Sequence, residues 1–200
     1  DTPVGGGAGM VMQAGPVYRA FEDLCAKLGK RPRVIYTTPQ GRVFSQSIAE
    51  ELAKEEELVF LCGHYEGIDQ RVLDYWEMEE ISIGDYILTG GELPAMVLID
   101  AVARFIPDVL GSRESVADES IYSGLLECDQ YTKPRQFAGM DVPEVLTSGN
   151  HKMIRLWQYE NALSLTKARR PDLFSAYLEK EKELSKDEKK ILEKVVSKPL

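Results

Sequence analysis

Ser82-Ile-Gly-Asp-Tyr-Ile-Leu-Thr-Gly-Gly-Glu-Leu-Pro94 is the stretch on which the fold turns. Three glycines interrupt an apolar run, which is unfavourable in a plain strand because glycine adds no packing and loses the most backbone entropy. Two explanations stand open. Either the backbone approaches a flat ligand closely, with Ile83, Tyr86 and Leu88 as apolar walls, or the segment is a bulge or tight turn. On its N-terminal side Glu80-Ile-Ser-Ile83 reads as a short strand. On its C-terminal side Pro94 suits the first turn of a helix to about Phe105, with Met96, Leu98, Ile99, Val102 and Phe105 near helical spacing.

Two further strand-like runs end in loops of the same kind. Val34-Ile-Tyr36 leads into Thr37-Thr-Pro-Gln-Gly41, and Leu58-Val-Phe-Leu61 leads into Cys62-Gly-His-Tyr-Glu-Gly67. Helices are predicted from Pro16 to about Leu28 and from Ser45 to about Lys54. Alternating strands and helices predict an α/β fold, a parallel sheet covered by helices. In such sheets the loops after the strands gather at one edge and form the ligand site. Residues 111–127 read as a linker of small and acidic residues between a first domain, 1–110, and a small all-α domain, 128–200. Within the second domain, Ile154, Trp157 and Leu165 mark one helix, Leu173, Tyr177 and Leu178 another, and Ile191, Leu192 and Val195 a last one. Ser185 and Glu188 have capping-box spacing before that last helix.

Composition narrows the function. The 200 residues carry a net charge of −9, which disfavours a generic nucleic-acid binder until it is divided. Residues 1–127 hold 10 basic and 22 acidic side chains, whereas 128–200 hold 14 and 11. Five basic residues (Lys152, Arg155, Lys167, Arg169, Arg170) against one acidic, Glu160, fall within 151–171. Such a patch permits RNA contact, and equally describes a solvated helix face. Three separated cysteines exclude a disulfide framework and point to a reducing cytoplasm. No zinc-like spacing follows Cys62 and His64, and no run has the length of a membrane span.

Two loops carry candidate chemistry. Gly5-Gly-Gly-Ala-Gly-Met10 lacks the Lys-Ser/Thr of a phosphate-binding P-loop and reads as a flexible loop. In Gly63-His-Tyr-Glu-Gly-Ile-Asp69, Gly63 would allow close backbone approach and Glu66 would accept hydrogen bonds from a ribose or face a cation. Alternatively Glu66 and Asp69 simply favour the positive end of the following helix, and His64 is a surface or packing residue.

Gly63 to Arg71, Ser82 to Ala95, Arg104-Phe-Ile-Pro107, Gly124-Leu-Leu-Glu127, Tyr131-Thr-Lys-Pro134 and Ser148-Gly-Asn-His151 with Trp157 resemble TrmD, the tRNA (guanine-N1)-methyltransferase family. The resemblance spans nearly the whole chain. It implies a SPOUT-type knotted parallel sheet, a flexible linker, a helical tRNA-binding domain and a homodimer with no membrane association. It implies an S-adenosylmethionine pocket formed by Tyr36, Thr37, Gly63, Glu66, Ile83, Gly84, Asp85, Tyr86, Ile87, Leu88, Gly90, Gly91 and Pro94, and a magnesium requirement for which no dedicated site is legible. By the same register Arg104 falls on the family's catalytic arginine, and Glu119 on its catalytic aspartate, with Asp118 one position earlier. That departure makes Glu119 the expected general base, or Asp118 if the linker shifts by one residue. The family's opening strand and helix precede the glycine loop and are absent here, so the chain reads as a fragment. The implied reaction is methylation of N1 of the guanosine 3′ of the anticodon. A ribose 2′-hydroxyl methyltransferase and a non-catalytic RNA-binding module are the alternatives.

Overall fold

The computed structural model describes residues 1–107, 109, 124–179 and 184–198, which fall into two compact units, 1–111 and 112–200. In the first unit the order is α1 (Ala14–Leu28), β1 (Arg33–Val43), α2 (Gln46–Leu52), β2 (Leu58–Leu61), α3 (Gln70–Tyr75), β3 (Glu79–Ser82) and α4 (Glu92–Ala103). All strands are parallel in the order β2-β1-β3, as the alternation predicts.

Side-chain alternation along β1 builds a core on each face. Val34 and Tyr36 pack with Val17 and Phe21 of α1 and Val72 and Leu73 of α3. Ile35, one residue out of phase, packs with Ile48, Ala49 and Leu52 of α2, Ile81 of β3, and Leu98 and Val102 of α4. Ile35, Leu52, Ile81 and Leu98 are fully buried. Each such side chain contributes roughly 1.5–3 kcal/mol on leaving water, so this face anchors the sheet.

β1 differs from its reading. Rather than ending at Tyr36, it bulges and resumes: Thr37 and Arg42 both oppose Ile81, so residues 38–41 loop outward and pairing continues to Val43↔Ser82. Pro39 has no N–H to offer a ladder, and a Cβ on Gly41 would lie 2.4 Å from the Glu80 carbonyl carbon, so only glycine lets the strand return this closely. α4 also departs from a simple amphipathic helix. It buries Pro94, Ala95, Leu98 and Val102, yet leaves Leu93, Met96, Val97 and Ile99 about half or more exposed.

The second unit is helical only from His151, not from Cys128, and is not strictly all-α. Gln136–Phe137 and Met140–Asp141 pair as a short antiparallel hairpin (β4, β5), followed by a 3-10 turn at Glu144–Thr147. Ala138 and Gly139 take φ of 50° and 79°, the left-handed pair that closes a two-residue hairpin, and Pro134 and Pro143 flank it without N–H groups for a helix. Three helices follow: α5 (His151–Arg169), α6 (Pro171–Glu179) and α7 (Lys186–Ser197). Their core joins Leu125, Leu163, Phe174, Tyr177 and Val195. The most buried positions of α5 are Leu163 and Thr166, whereas Ile154, Trp157 and Leu165 are half-buried. Thr166 is tolerated there because its hydroxyl donates to the Ala162 carbonyl (2.7 Å) and accepts from the Leu126 N–H (2.8 Å).

The capping box at Ser185 and Glu188 is present, both halves hydrogen-bonded. Ser185→Ala is expected to destabilise this unit by about 1 kcal/mol, measured as a lower urea midpoint with an unchanged slope.

Candidate functional site

The loops after the strands converge. Residues 36–40 at the β1 bulge, 63–67 after β2, and 81–84 and 86–91 at and after the end of β3, together with Pro94 of α4, line one cavity of about 330 Å3. Tyr36, Thr37, Gly63, Glu66, Ile83, Gly84, Tyr86, Ile87, Leu88, Gly90, Gly91 and Pro94 all lie on its wall. Asp85 does not. It is exposed at the tip of a tight turn in which Gly84 takes φ +146° and the Tyr86 N–H bonds back to the Gly84 carbonyl (3.0 Å). Thr38, Pro39, Gln40 and His64 line the cavity as well, although the sequence alone did not single them out for it.

The glycines of the quoted stretch answer first to the protein itself. A Cβ on Gly91 would meet Cys62 Cα and Thr37 Oγ1 at 2.7 Å and the Gly63 nitrogen at 2.9 Å. That closeness lets the Gly91 N–H donate to the Gly63 carbonyl (3.0 Å), while the Thr37 hydroxyl donates to the Gly91 carbonyl (3.2 Å). All three loops therefore meet at this one residue. Gly63 is similar: its missing Cβ leaves room for the Tyr36 ring, 2.9 Å away, rather than for a ligand. Of the two explanations for the glycines of 82–94, the tight turn accounts for Gly84, whereas Gly91, like Gly63 outside that stretch, answers to a third, close packing of protein against protein.

Two groups at or beside the cavity, Tyr36 on its wall and Cys62 next to Gly63, are held un-ionised. Burial pushes the Tyr36 phenol above its ordinary value, with nearby Glu80 adding to the effect, so it remains an un-ionised donor at neutral pH. Burial, with a contribution from Glu92, likewise pushes up the Cys62 thiol and disfavours a thiolate there. Asp69 proves to be the N-cap of α3. Its side chain accepts from the Arg71 N–H (3.0 Å) and pairs with the Arg71 guanidinium (2.6 Å), which holds its carboxyl at about 2. Glu66 faces the glycine loop instead: a Cβ on Gly9 would lie 2.4 Å from its Oε1. Residues 10–12 run parallel to this loop, through Glu66 N–H to Met10 carbonyl (2.9 Å) and Met12 N–H to Gly67 carbonyl (2.9 Å).

Arg104 is not at this cavity. It caps the far end of α4, half-buried, ten residues beyond Pro94, which is about 15 Å along a helix. Glu119 and Asp118 lie outside the described residues. The basic stretch of the second unit is largely engaged internally. Lys152 pairs with Asp187 (2.7 Å), and Arg170 clamps Asp172 with two hydrogen bonds (2.9 and 2.6 Å). Lys167 caps the end of α7 through the carbonyls of Val195, Val196 and Lys198. Arg155 and Arg169 remain exposed. Among the described residues there is no cluster of three or more side chains able to hold a metal, and no helix long and apolar enough to cross a membrane.

Residues 1–176 match the family described as tRNA (Guanine-1)-methyltransferase TrmD. Three similar proteins carry the name tRNA (guanine-N(1)-)-methyltransferase. That of Lachnospira eligens is 56% identical over 180 residues, covering 90% of this chain and 76% of the relative. The Desulforamulus reducens protein is 55% identical over 193 residues, 96% and 74% of the two chains. The Moorella thermoacetica protein is 54% identical over 196 residues, 98% and 76%.

Proposed function

The chain belongs to the TrmD family of tRNA (guanine-1)-methyltransferases, and from that premise we propose that it methylates N1 of the guanosine 3′ of the anticodon, using S-adenosylmethionine at the cavity between its three loops. The observation that carries this reading is convergence: residues scattered from 36 to 94, quoted for the resemblance or carried over from it, line one cavity. Its volume and its mixture of apolar wall (Ile83, Tyr86, Ile87, Leu88, Pro94) with backbone polar groups fit a flat nucleoside. Bound there, S-adenosylmethionine supplies an electrophilic methyl group.

The chain's own residues supply the rest. Guanine N1 carries a proton at neutral pH and must lose it to become a nucleophile. A carboxylate within hydrogen-bond reach takes that proton as general base, a role we assign to Glu119, or to Asp118 if the segment is shifted by one residue. Negative charge then spreads to O6, where the Arg104 guanidinium stabilises it. The base must be splayed from its neighbours for these groups to reach it. Among the described residues no cluster of three or more His, Cys, Asp or Glu side chains offers a magnesium site.

Two features support a homodimer whose sites are shared between subunits. Arg104 stands about 15 Å along α4 from the cavity wall, too far to serve the cavity of its own chain. α4 also exposes Leu93, Met96, Val97 and Ile99 side by side, an apolar face that a second copy would bury. In this reading the SPOUT knot closes the sheet around the cavity, 111–127 carries the base, and residues 128–200 grip the anticodon arm, with Arg155 and Arg169 among their exposed cations. The setting is the cytoplasm.

Incubation with methyl-labelled S-adenosylmethionine and a tRNA bearing guanosine 3′ of the anticodon should yield labelled 1-methylguanosine, and the same tRNA with adenosine there should take up none. Equal labelling of both would point to a ribose methyltransferase. Cofactor and tRNA binding without labelling would point to a binding module.

A further inference from the structure

We propose that His64 and Glu92 form a positioning pair that fastens two of the cavity loops together, and that affinity for S-adenosylmethionine depends on it. The inference rests on reading the cavity as that cofactor's pocket. His64 lies in the loop after β2 and lines the cavity. Glu92 opens α4, where the loop after β3 ends. Separated by 28 residues, they meet with His64 Nε2 at 2.5 Å from Glu92 Oε1.

The surroundings are shaped to the pair. A Cβ on Gly90 would lie 2.4 Å from Glu92 Oε2 and 2.9 Å from His64 Cε1, so a side chain at 90 would push both partners aside. Gly90 therefore explains itself as the space the pair occupies. Glu92 is held ionised by its own backbone N–H and then by His64, its carboxyl falling below the ordinary glutamate value, and a carboxylate in the first turn also suits the helix dipole. Beside this contact the two loops share the Gly91 N–H to Gly63 carbonyl bond. The 84–90 segment, which carries the exposed Tyr86, Ile87 and Leu88, would otherwise depend on that backbone link to hold its place against the β2 loop.

Magnitudes separate positioning from stability. The His64 and Glu92 side chains are 48% and 57% exposed, and solvent-exposed pairs contribute little to global folding. The consequence of losing this one is local, in the shape of the cavity wall.

The test is calorimetric titration of S-adenosylmethionine into the unmutated chain and four variants, with thermal melts alongside. His64→Ala and Glu92→Ala should each weaken binding about tenfold with little change in melting temperature. His64→Gln should bind within about threefold of the unmutated chain, because its amide nitrogen takes the place of Nε2. The double variant His64→Ala/Glu92→Ala should be no weaker than either single one, since the two act as a unit. Steady-state kinetics should show the loss mainly in KM for the cofactor rather than in kcat. His64→Ala binding as tightly as the unmutated chain, or strictly additive losses in the double variant, would overturn the pair alone. Failure of the unmutated chain to bind S-adenosylmethionine would overturn the pocket reading and the inference with it.

Discussion

Mixed subunits of Arg104→Ala and Gly90→Val should regain about a quarter of the unmutated methyl-transfer rate, although neither variant works alone. The arithmetic follows from a two-fold dimer with shared sites. Random exchange makes about half the dimers mixed, and each mixed dimer has one site with an intact cavity from one subunit and an intact Arg104 from the other. Its second site combines both defects and is dead. Gly90→Val suits the experiment because the atoms it would displace are the ends of the Glu92 and His64 side chains, which can swing away. The fold survives, while the valine side chain occupies the cavity wall that Gly90 lines and blocks the cofactor beyond the loss expected from the His64–Glu92 contact alone. Arg104 lies at the opposite end of α4 from Pro94, so the two substitutions are about 15 Å or more apart and should not disturb each other directly. Refolding the two variants together and measuring labelled 1-methylguanosine decides the matter. No recovery above the separate variants would mean that each subunit completes its own site.

Among the glycines that line the cavity, Gly91 is the one at which an added methyl group (Gly91→Ala) is expected to do the most damage. The added carbon would sit at 2.7 Å from Cys62 Cα and 2.9 Å from the Gly63 nitrogen, both backbone atoms, and at 2.7 Å from the Thr37 hydroxyl. None of the backbone atoms can turn aside as a side chain would, so the junction of the three loops must open. Overpacking of this kind costs about 1–3 kcal/mol. Two hydrogen bonds are at risk with it, Gly91 N–H to Gly63 and Thr37 hydroxyl to the Gly91 carbonyl. A destabilisation of about 2–3 kcal/mol in urea unfolding should therefore accompany at least a tenfold loss of S-adenosylmethionine affinity. A variant with unchanged stability and affinity would show that the loops do not need this junction.

Strand and helix order, the parallel sheet and the meeting of its loops were legible in the sequence by itself. Each rests on local pattern: short continuous apolar runs in 34–36 and 58–61, apolar residues near helical spacing in 94–105, and glycine-bearing loops after the strand-like runs. The quoted motifs also carried family membership. Local pattern could not reveal how β1 leaves the ladder after Thr37 and rejoins it at Arg42, because that depends on the backbone of β3 coming within reach of Gly41. Nor could the 128–150 stretch be separated from the helices after it without seeing Ala138 and Gly139 close a hairpin. Nor does spacing reveal that Lys152, Lys167 and Arg170 of the basic stretch find carboxylates or helix-end carbonyls on neighbouring segments. The partners of Gly63, Gly91 and His64 were likewise settled only in three dimensions. His64 and Glu92 are 28 residues apart, and contact between them exists only because the parallel sheet brings the ends of β2 and β3 to the same edge, where a hydrogen bond depends on fractions of an ångström that no sequence spacing encodes.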